Sequence, residues 1–216
     1  MLNIVSMPYG YKKFYNELKS NNFRLLDVGC GSHSPSIAKR FFPKCEYHGI
    51  DYQNYYNDDK DIKVIDKYYE INLNKNYAQL GLLPDNYFDI IYMSHIIEHT
   101  FNGLEIVSIL ITKLKTAGKI YIEYPSVKSL SLPSMNGTLN FCDDETHVRV
   151  YNNIEIANLL LSKGMRIIKA GTRRDLIKIL FIPIKIFYNL VKSGKIVGGI
   201  FWDICGFASY IYAQKK

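Results

Sequence analysis

Apolar positions along the 216 residues follow two rhythms: short alternating or continuous runs that suit strands, and three-to-four spacings that suit helices. Phe23, Leu25, Leu26 and Val28 form an apolar run that stops at Gly29-Cys30-Gly31 and reads as a buried strand entering a tight turn. A helix fits residues 35–42, with Pro35 suited to its first turn and Pro43 ending it. Residues 46–50 read as a second strand ending in Asp51. Both 62–65 and 68–73 alternate like strands, and the pattern does not separate them. After turn chemistry at Pro84-Asp85-Asn86 comes a continuous apolar strand over 88–93.

The second half repeats the rhythm. Residues 104–114 form an amphipathic helix, 113–119 a linker and 120–126 a fifth strand. Residues 127–144 carry no helical face and read as a long loop, of the kind that is usually functional or mobile. A helix over 153–163 stops at Gly164, and the last two strands fit 165–171 and 206–214. Ahead of the first strand, Tyr11, Phe14, Tyr15 and Leu18 give a short helix over 9–19 its apolar face. Between the last strands, Lys178, Lys185, Asn189 and Lys192 fall on one narrow helical stripe and leave a broad apolar remainder. Pro183 and the lysines exclude a transmembrane span there.

Chemistry concentrates at the first turn. Glycines without a Cβ let the backbone bend sharply and lie against a ligand, and Asp27 sits just before them, at the end of the strand where open α/β sheets bind ligands. A dinucleotide turn needs a third glycine, and Ser34 stands in its place. An acid ahead of the turn suits a cationic ligand group better than a pyrophosphate. The pattern Asp27-x-Gly29-x-Gly31 after a strand resembles the first motif of class I S-adenosylmethionine-dependent methyltransferases. A glycine turn without a ligand is the alternative for the motif taken alone.

More of that pattern follows. Asp51 lies twenty residues beyond Gly31, about the spacing at which a carboxylate from the next strand reaches a ribose. A carboxylate accepts from two vicinal hydroxyls, so Asp51 is read as the adenosine ribose ligand, against a turn or cap residue as the alternative. Leu83-Pro84-Asp85-x-x-Phe88-Asp89, an apolar strand, and then Ser94-His95-Ile96-Ile97-Glu98-His99 resembles the fourth motif of the ubiquinone-type and related small-molecule methyltransferases, types 11 and 23. A His-x-Arg-x-Tyr run at His147, Arg149 and Tyr151 matches the segment before the last helix in similar enzymes. His95 to His99 also spells an inverted zinc-protease signature. Lacking a third ligand, it is read as coincidence, and no metal is expected.

The resemblance covers residue 23 to about 169 and implies a Rossmann-like α/β sandwich with a seven-stranded, mostly parallel sheet whose last strand is antiparallel. It implies S-adenosylmethionine as cofactor, held by Asp27, Gly29, Cys30, Gly31, Asp51, Tyr52, Asn72, Leu73, Met93 and Ser94. On the acceptor side it places Tyr124, Arg149 and Tyr11, with core packing as the competing role for Tyr11. His147 or His95 would serve as base for a hydroxyl acceptor. A catalytically silent cofactor-binding or scaffold protein of the same fold is the alternative.

Composition adds limits. The length suits a single methyltransferase domain, 1–216, with an apolar helical insertion at about 175–203. The 48% hydrophobic and 22% charged fractions are those of a globular chain. Cys30, Cys45, Cys142 and Cys205 form no Cys-x-x-Cys pair, which speaks for a reducing compartment and against structural zinc. Residues 1–8 lack a basic region before an apolar core, so no secretory signal is read and a cytoplasmic location is expected. The formal charge of +7 favours an anionic partner. A small molecule, phosphorylated or linked to a nucleotide sugar, is expected rather than nucleic acid. The 175–203 insertion is read first as a lid or packing element, then as a homodimer contact, then as a peripheral membrane contact.

Overall fold

The computed structural model describes residues 6–216; the N-terminal reading at 1–5 lies outside the described residues. A 3-10 turn, Tyr11–Lys13, and helix α1, Tyr15–Leu18, replace the single helix expected over 9–19. Phe14 breaks the helix at φ −125°, which lets Tyr11 and Phe14 both bury against the sheet. Strand β1, Phe23–Val28, then runs into the glycine turn and helix α2, Ser34–Phe41. Strand β2, Cys45–Asp51, follows.

The ambiguous stretch after it resolves into helix α3, Asp59–Val64, and a short strand β3, Lys67–Glu70. The strand-like alternation at 62–65 is overridden by a capping box. Asp58 accepts from Lys60 N and Asp61 N, while Asp61 accepts from Asp58 N. Strand β4, Phe88–Ser94, precedes helix α4, Gly103–Lys113, whose apolar face buries Ile106, Val107, Leu110 and Ile111. Strand β5, Leu114–Pro125, takes in most of the expected linker and is longer than its apolar core, with an irregularity opposite Phe88 and Ile90. Helix α5, Asn153–Ser162, leads to β6, Met165–Thr172, and β7, Ala208–Lys215, closes the chain.

The seven strands lie in the order β3-β2-β1-β4-β5-β7-β6, parallel except for β7, which pairs antiparallel with β5 and β6. The chain first leaves β1 toward one edge and later returns to place β4 on its other side. The switch point, where ligands sit in such sheets, therefore lies beyond the carboxyl ends of β1 and β4.

Alternation along β1 divides the core. Leu26 and Val28 join Ile91, Met93, Leu110 and Ile156 on the face covered by α4 and α5. Phe23 and Leu25 join Tyr11, Phe14, Phe42 and Tyr47 on the face covered by the N-terminal segment and α2. That second face absorbs much of the tyrosine content. Tyr92 stacks on Tyr121 at 5.4 Å, Tyr121 on Tyr210 at 5.8 Å, and Tyr11 sits edge-on to Tyr92 at 4.8 Å.

Between β6 and β7 come α6, Leu176–Leu180, α7, Ile182–Ser193, a 3-10 turn, Gly198–Phe201, and α8, Trp202–Cys205. The insertion is divided in its packing. Trp202 stacks on Phe207 at 4.4 Å and meets the His95 ring at 4.9 Å, so α8 packs onto the end of the sheet. On α6 and α7, by contrast, Leu176, Leu180, Phe187 and Val191 are each at least 70% exposed. Among the described residues no helix is long and apolar enough to cross a membrane.

Candidate active site

The turn after β1 is built to bring backbone close to whatever lies above it. Gly29 has φ +82°, and a Cβ there would fall 2.0 Å from Ile96 Cδ1, so only glycine fits beneath the segment leaving β4. A Cβ on Gly31 would lie 2.7 Å from the carbonyl oxygen of Tyr55. Residues 52–57 fold back across this turn. Ser32 N donates to Tyr55 O at 2.7 Å, His33 N to Asn57 Oδ1 at 2.9 Å, and Asn57 Nδ2 to Cys30 O at 3.0 Å. Cys30 itself is buried under β2, where Gly49 leaves room for its sulfur.

Two carboxylates flank the turn. Asp27, 1% exposed, accepts on Oδ2 from Tyr47 Oη at 2.6 Å and from Ser34 Oγ at 2.7 Å. Burial dominates these bonds and pushes its pKa up to about 6, with the charge of Asp51 adding to the rise. Asp51, half-buried at the end of β2, accepts from Tyr52 N at 2.8 Å, and burial raises its pKa too. Two acids whose charged forms are disfavoured by burial at the switch point gain most from a ligand carrying a positive group and hydroxyl donors. That donor set and the glycine cradle fit S-adenosylmethionine, with its ammonium and its ribose.

The other expected cofactor residues distribute along the same edge. Ser94 is half-buried at the end of β4, whereas Met93 is wholly buried in the core. Asn72 closes an Asx turn, its Oδ1 accepting from Asn74 N and Lys75 N, and Leu73 packs partly on the core. Tyr52 is 50% exposed beside Asp51.

Beyond β4 and β5 lies a buried charge network that the sequence reading missed. Glu123 accepts from Arg173 Nη1 at 2.8 Å and from Tyr121 Oη, and Arg173 Nε donates to Asp203 Oδ1 at 3.0 Å. His95, at φ +56°, is not helical, so His95 and His99 do not share a helix face. Its Nδ1 lies 3.0 Å from Glu98 Oε1 and its Nε2 lies 3.2 Å from Glu123 Oε1. Burial opposes the charged ring, but the two carboxylates outweigh it and hold the pKa at about 9. Arg173 directly follows β6, and Asp203 and Trp202 come from the end of the insertion, where no motif marks them.

On the expected acceptor side the residues separate. Tyr124 is fully buried, its hydroxyl donating to Asn153 Oδ1 at 2.6 Å, and Tyr11 is buried in the aromatic face. Arg149 pairs with Glu155 at 2.5 Å. Next to these pairs an open cavity of about 580 Å³ is lined by Ser126, Lys128, Asn152, Asn153 and Glu155, with Thr172 and Ser209. His147 packs against Phe141 and His99, and its Nδ1 donates to Phe141 O at 2.7 Å.

A family model described as a methyltransferase domain matches residues 6–170. A solved S-adenosylmethionine-dependent methyltransferase from Archaeoglobus fulgidus aligns with TM-score 0.59 at 20% identity, covering 95% of this chain and 91% of that one. One from Mesorhizobium loti aligns with TM-score 0.65 at 12% identity, covering 98% and 100%. A Haemonchus contortus phosphoethanolamine N-methyltransferase, bound to phosphomonomethylethanolamine and S-adenosylhomocysteine, aligns with TM-score 0.64 at 16% identity, covering 99% of this chain and 52% of that one. At these identities the likeness speaks for the fold. No protein of curated function matches the sequence.

Proposed function

The chain belongs to the methyltransferase-domain family and is an S-adenosylmethionine-dependent methyltransferase, and from this premise we propose that it methylates a hydroxyl of a small acceptor, anionic or sugar-linked. In this reading Asp51 accepts from the ribose hydroxyls, the Gly29–Gly31 turn lies against the methionine moiety, and Asp27 balances its ammonium. When bound, the cofactor supplies a methyl on a sulfonium, already a good leaving group. The protein's part is then alignment, exclusion of water and management of the acceptor proton.

Oxygen as the nucleophile rests on one observation. The His147 Nδ1–H is fixed on the Phe141 carbonyl, which leaves Nε2 as the nitrogen with a free lone pair to receive a hydroxyl proton. His95 is a poorer base, because its two carboxylate neighbours keep it as the imidazolium at neutral pH. It is better suited to hold charge at the end of β4. The open cavity beside Lys128 offers room and a cation for an anionic acceptor. For partners, the outward apolar face of α6 and α7, with Lys192 and Lys195 exposed beside it, suits the surface of an anionic membrane.

The reading is tested by calorimetric titration with S-adenosylmethionine and S-adenosylhomocysteine, with Asp51→Ala as control. Wild-type binding that is lost in the variant, followed by turnover of hydroxylated and not amine acceptors, is the expected result. Binding unchanged in Asp51→Ala would remove the ribose assignment, and turnover confined to amines would remove the oxygen assignment.

A further inference from the structure

Among the described residues two buried acids, Glu98 and Asp61, each keep one carboxylate oxygen without a partner. Glu98 is 1% exposed, its Oε1 faces His95, and its Oε2 has no hydrogen-bond partner. Leaving such an oxygen unpaired costs free energy unless something else binds it. A carboxylate oxygen of Glu98 and a ring nitrogen each of His99 and His147 all lie within 4.8 Å of one another. The backbone fixes this meeting: Val148 N and Arg149 N donate to Glu98 O at 2.9 Å and 3.3 Å, pinning the loop that carries His147 to the turn that carries Glu98 and His99.

Both histidines are prepared as ligands. His147 Nδ1 donates to the Phe141 carbonyl, and His99 Nδ1 faces the carbonyl and hydroxyl of Thr146 at 3.2 Å and 2.9 Å. A hydrogen bond at one ring nitrogen that orients the other is the usual support of a metal-binding imidazole. A second carboxylate is near, with Asp144 Oδ2 at 3.8 Å from His147 Nε2. The other mixed cluster, His33, Asp58 and Asp61, also holds an unpartnered oxygen, Asp61 Oδ1, but it offers a single imidazole, which is already on Asp61 Oδ2, and Asp58 Oδ1 and Asp61 Oδ2 are engaged in the capping box at the start of α3.

We propose that Glu98, His99 and His147 form a binding site for a divalent transition-metal cation of the zinc, cobalt or manganese type, with Asp144 as an adjoining carboxylate. Two imidazoles and a carboxylate are a donor set that suits such ions better than magnesium or calcium, and three protein ligands leave positions open for an acceptor. Nδ1 of His147 is held by Phe141 O, so Nε2 cannot bind the cation and accept a proton at once, and a bound cation would occupy the lone pair that the oxygen-methylation reading gives to the base.

The test uses the full chain freed of metal with a chelator and titrated with cobalt(II), read by the visible absorption of the bound ion. One cobalt per chain is expected, with affinity lowered at least tenfold in both Glu98→Gln and His147→Gln, while calorimetry with S-adenosylmethionine confirms that each variant is folded. No saturable absorption in the wild type would overturn the site, and so would binding unchanged in both variants. Loss of cofactor binding with cobalt binding intact would bear on the cofactor reading alone.

Discussion

The Tyr47 hydroxyl reaches Asp27 Oδ2 at 2.6 Å from within the aromatic face of the sheet, and Ser34 donates to the same oxygen. These bonds orient the carboxylate but do not offset its burial, so it remains a weak acid with a pKa of about 6 against an ordinary 3.8.

The sign of the consequence is fixed by linkage. The native state holds the Asp27 proton more tightly than the unfolded state, so this contribution to stability is complete below pH 4 and is lost as pH rises through about 6. A shift of this size corresponds to about 3 kcal/mol at neutral pH. Asp27→Asn keeps an acceptor for both hydroxyls and removes the titration. Without cofactor it should match the wild type at pH 4 and be more stable at pH 8 in denaturant unfolding, yet bind S-adenosylmethionine at least tenfold more weakly. Parallel stability curves across pH would refute it.

At Gly29 the expected defect has two separable parts. Alanine at φ +82° carries a backbone cost of about 1–2 kcal/mol. Its Cβ would also meet Ile96 Cδ1 at 2.0 Å. Gly29→Ala should therefore destabilise the protein by more than the backbone cost, and adding Ile96→Ala should recover the steric part. In a double-mutant cycle the two changes should couple by about 1 kcal/mol or more. Additive effects would mean that Ile96 does not close the turn.

Arg173 holds Glu123 and Asp203 together out of water. Removing the cation alone, as in Arg173→Met, leaves buried Asp203 without a cation and Glu123 with only His95 and Tyr121, and should cost about 3 kcal/mol. Burial raises the Glu123 pKa, but Arg173, His95 and Tyr121 outweigh it and lower it to about 2. Its stabilising share is present above about pH 4.5 and is lost as pH falls toward 2. The wild type should lose stability over that acid range, and Glu123→Gln should lose less. An acid limb of equal steepness in both proteins would count against the network.

The split between what the sequence showed and what it hid follows from the range of the interactions. Strands β1, β2, β4 and the last two, and helices α2, α4 and α5, are each written in local apolar periodicity and stop within a few residues of the expected points. The glycine turn and the place of Asp51 at the end of β2 were legible for the same reason, since turn chemistry and strand spacing are local signals. Arg173 and Asp203 sit 50 and 80 residues from Glu123 in a segment with no motif, and only the antiparallel return of β7 brings them beneath it. The helix over 59–64 was hidden because the apolar residues at 62–65 alternate, while its cap at Asp58 and Asp61 is what decides. The meeting of His147 with Glu98 depends on a loop whose course no periodicity encodes.

The outward face of α6 and α7 gives the last prediction. Leu176 and Leu180 on α6, and Phe187 and Val191 on α7, lie four residues apart within their helices, so each helix presents a pair of neighbouring exposed apolar side chains and not scattered exposure. A lid would turn those pairs inward; here Ile182 is the one buried residue of α7. The formal charge of +7, with Lys192 and Lys195 exposed next to the α7 pair, favours an anionic bilayer, where each such lysine contributes about 1 kcal/mol. The wild type should co-sediment with vesicles containing phosphatidylglycerol, release as salt rises, and ignore pure phosphatidylcholine. Phe187→Ser with Leu180→Ser should abolish sedimentation at all salt concentrations, whereas Lys192→Gln with Lys195→Gln should weaken it mainly at low salt. A chain that ignores both vesicle types and runs as a dimer that the serine pair splits would show that a second copy, not a membrane, covers these side chains.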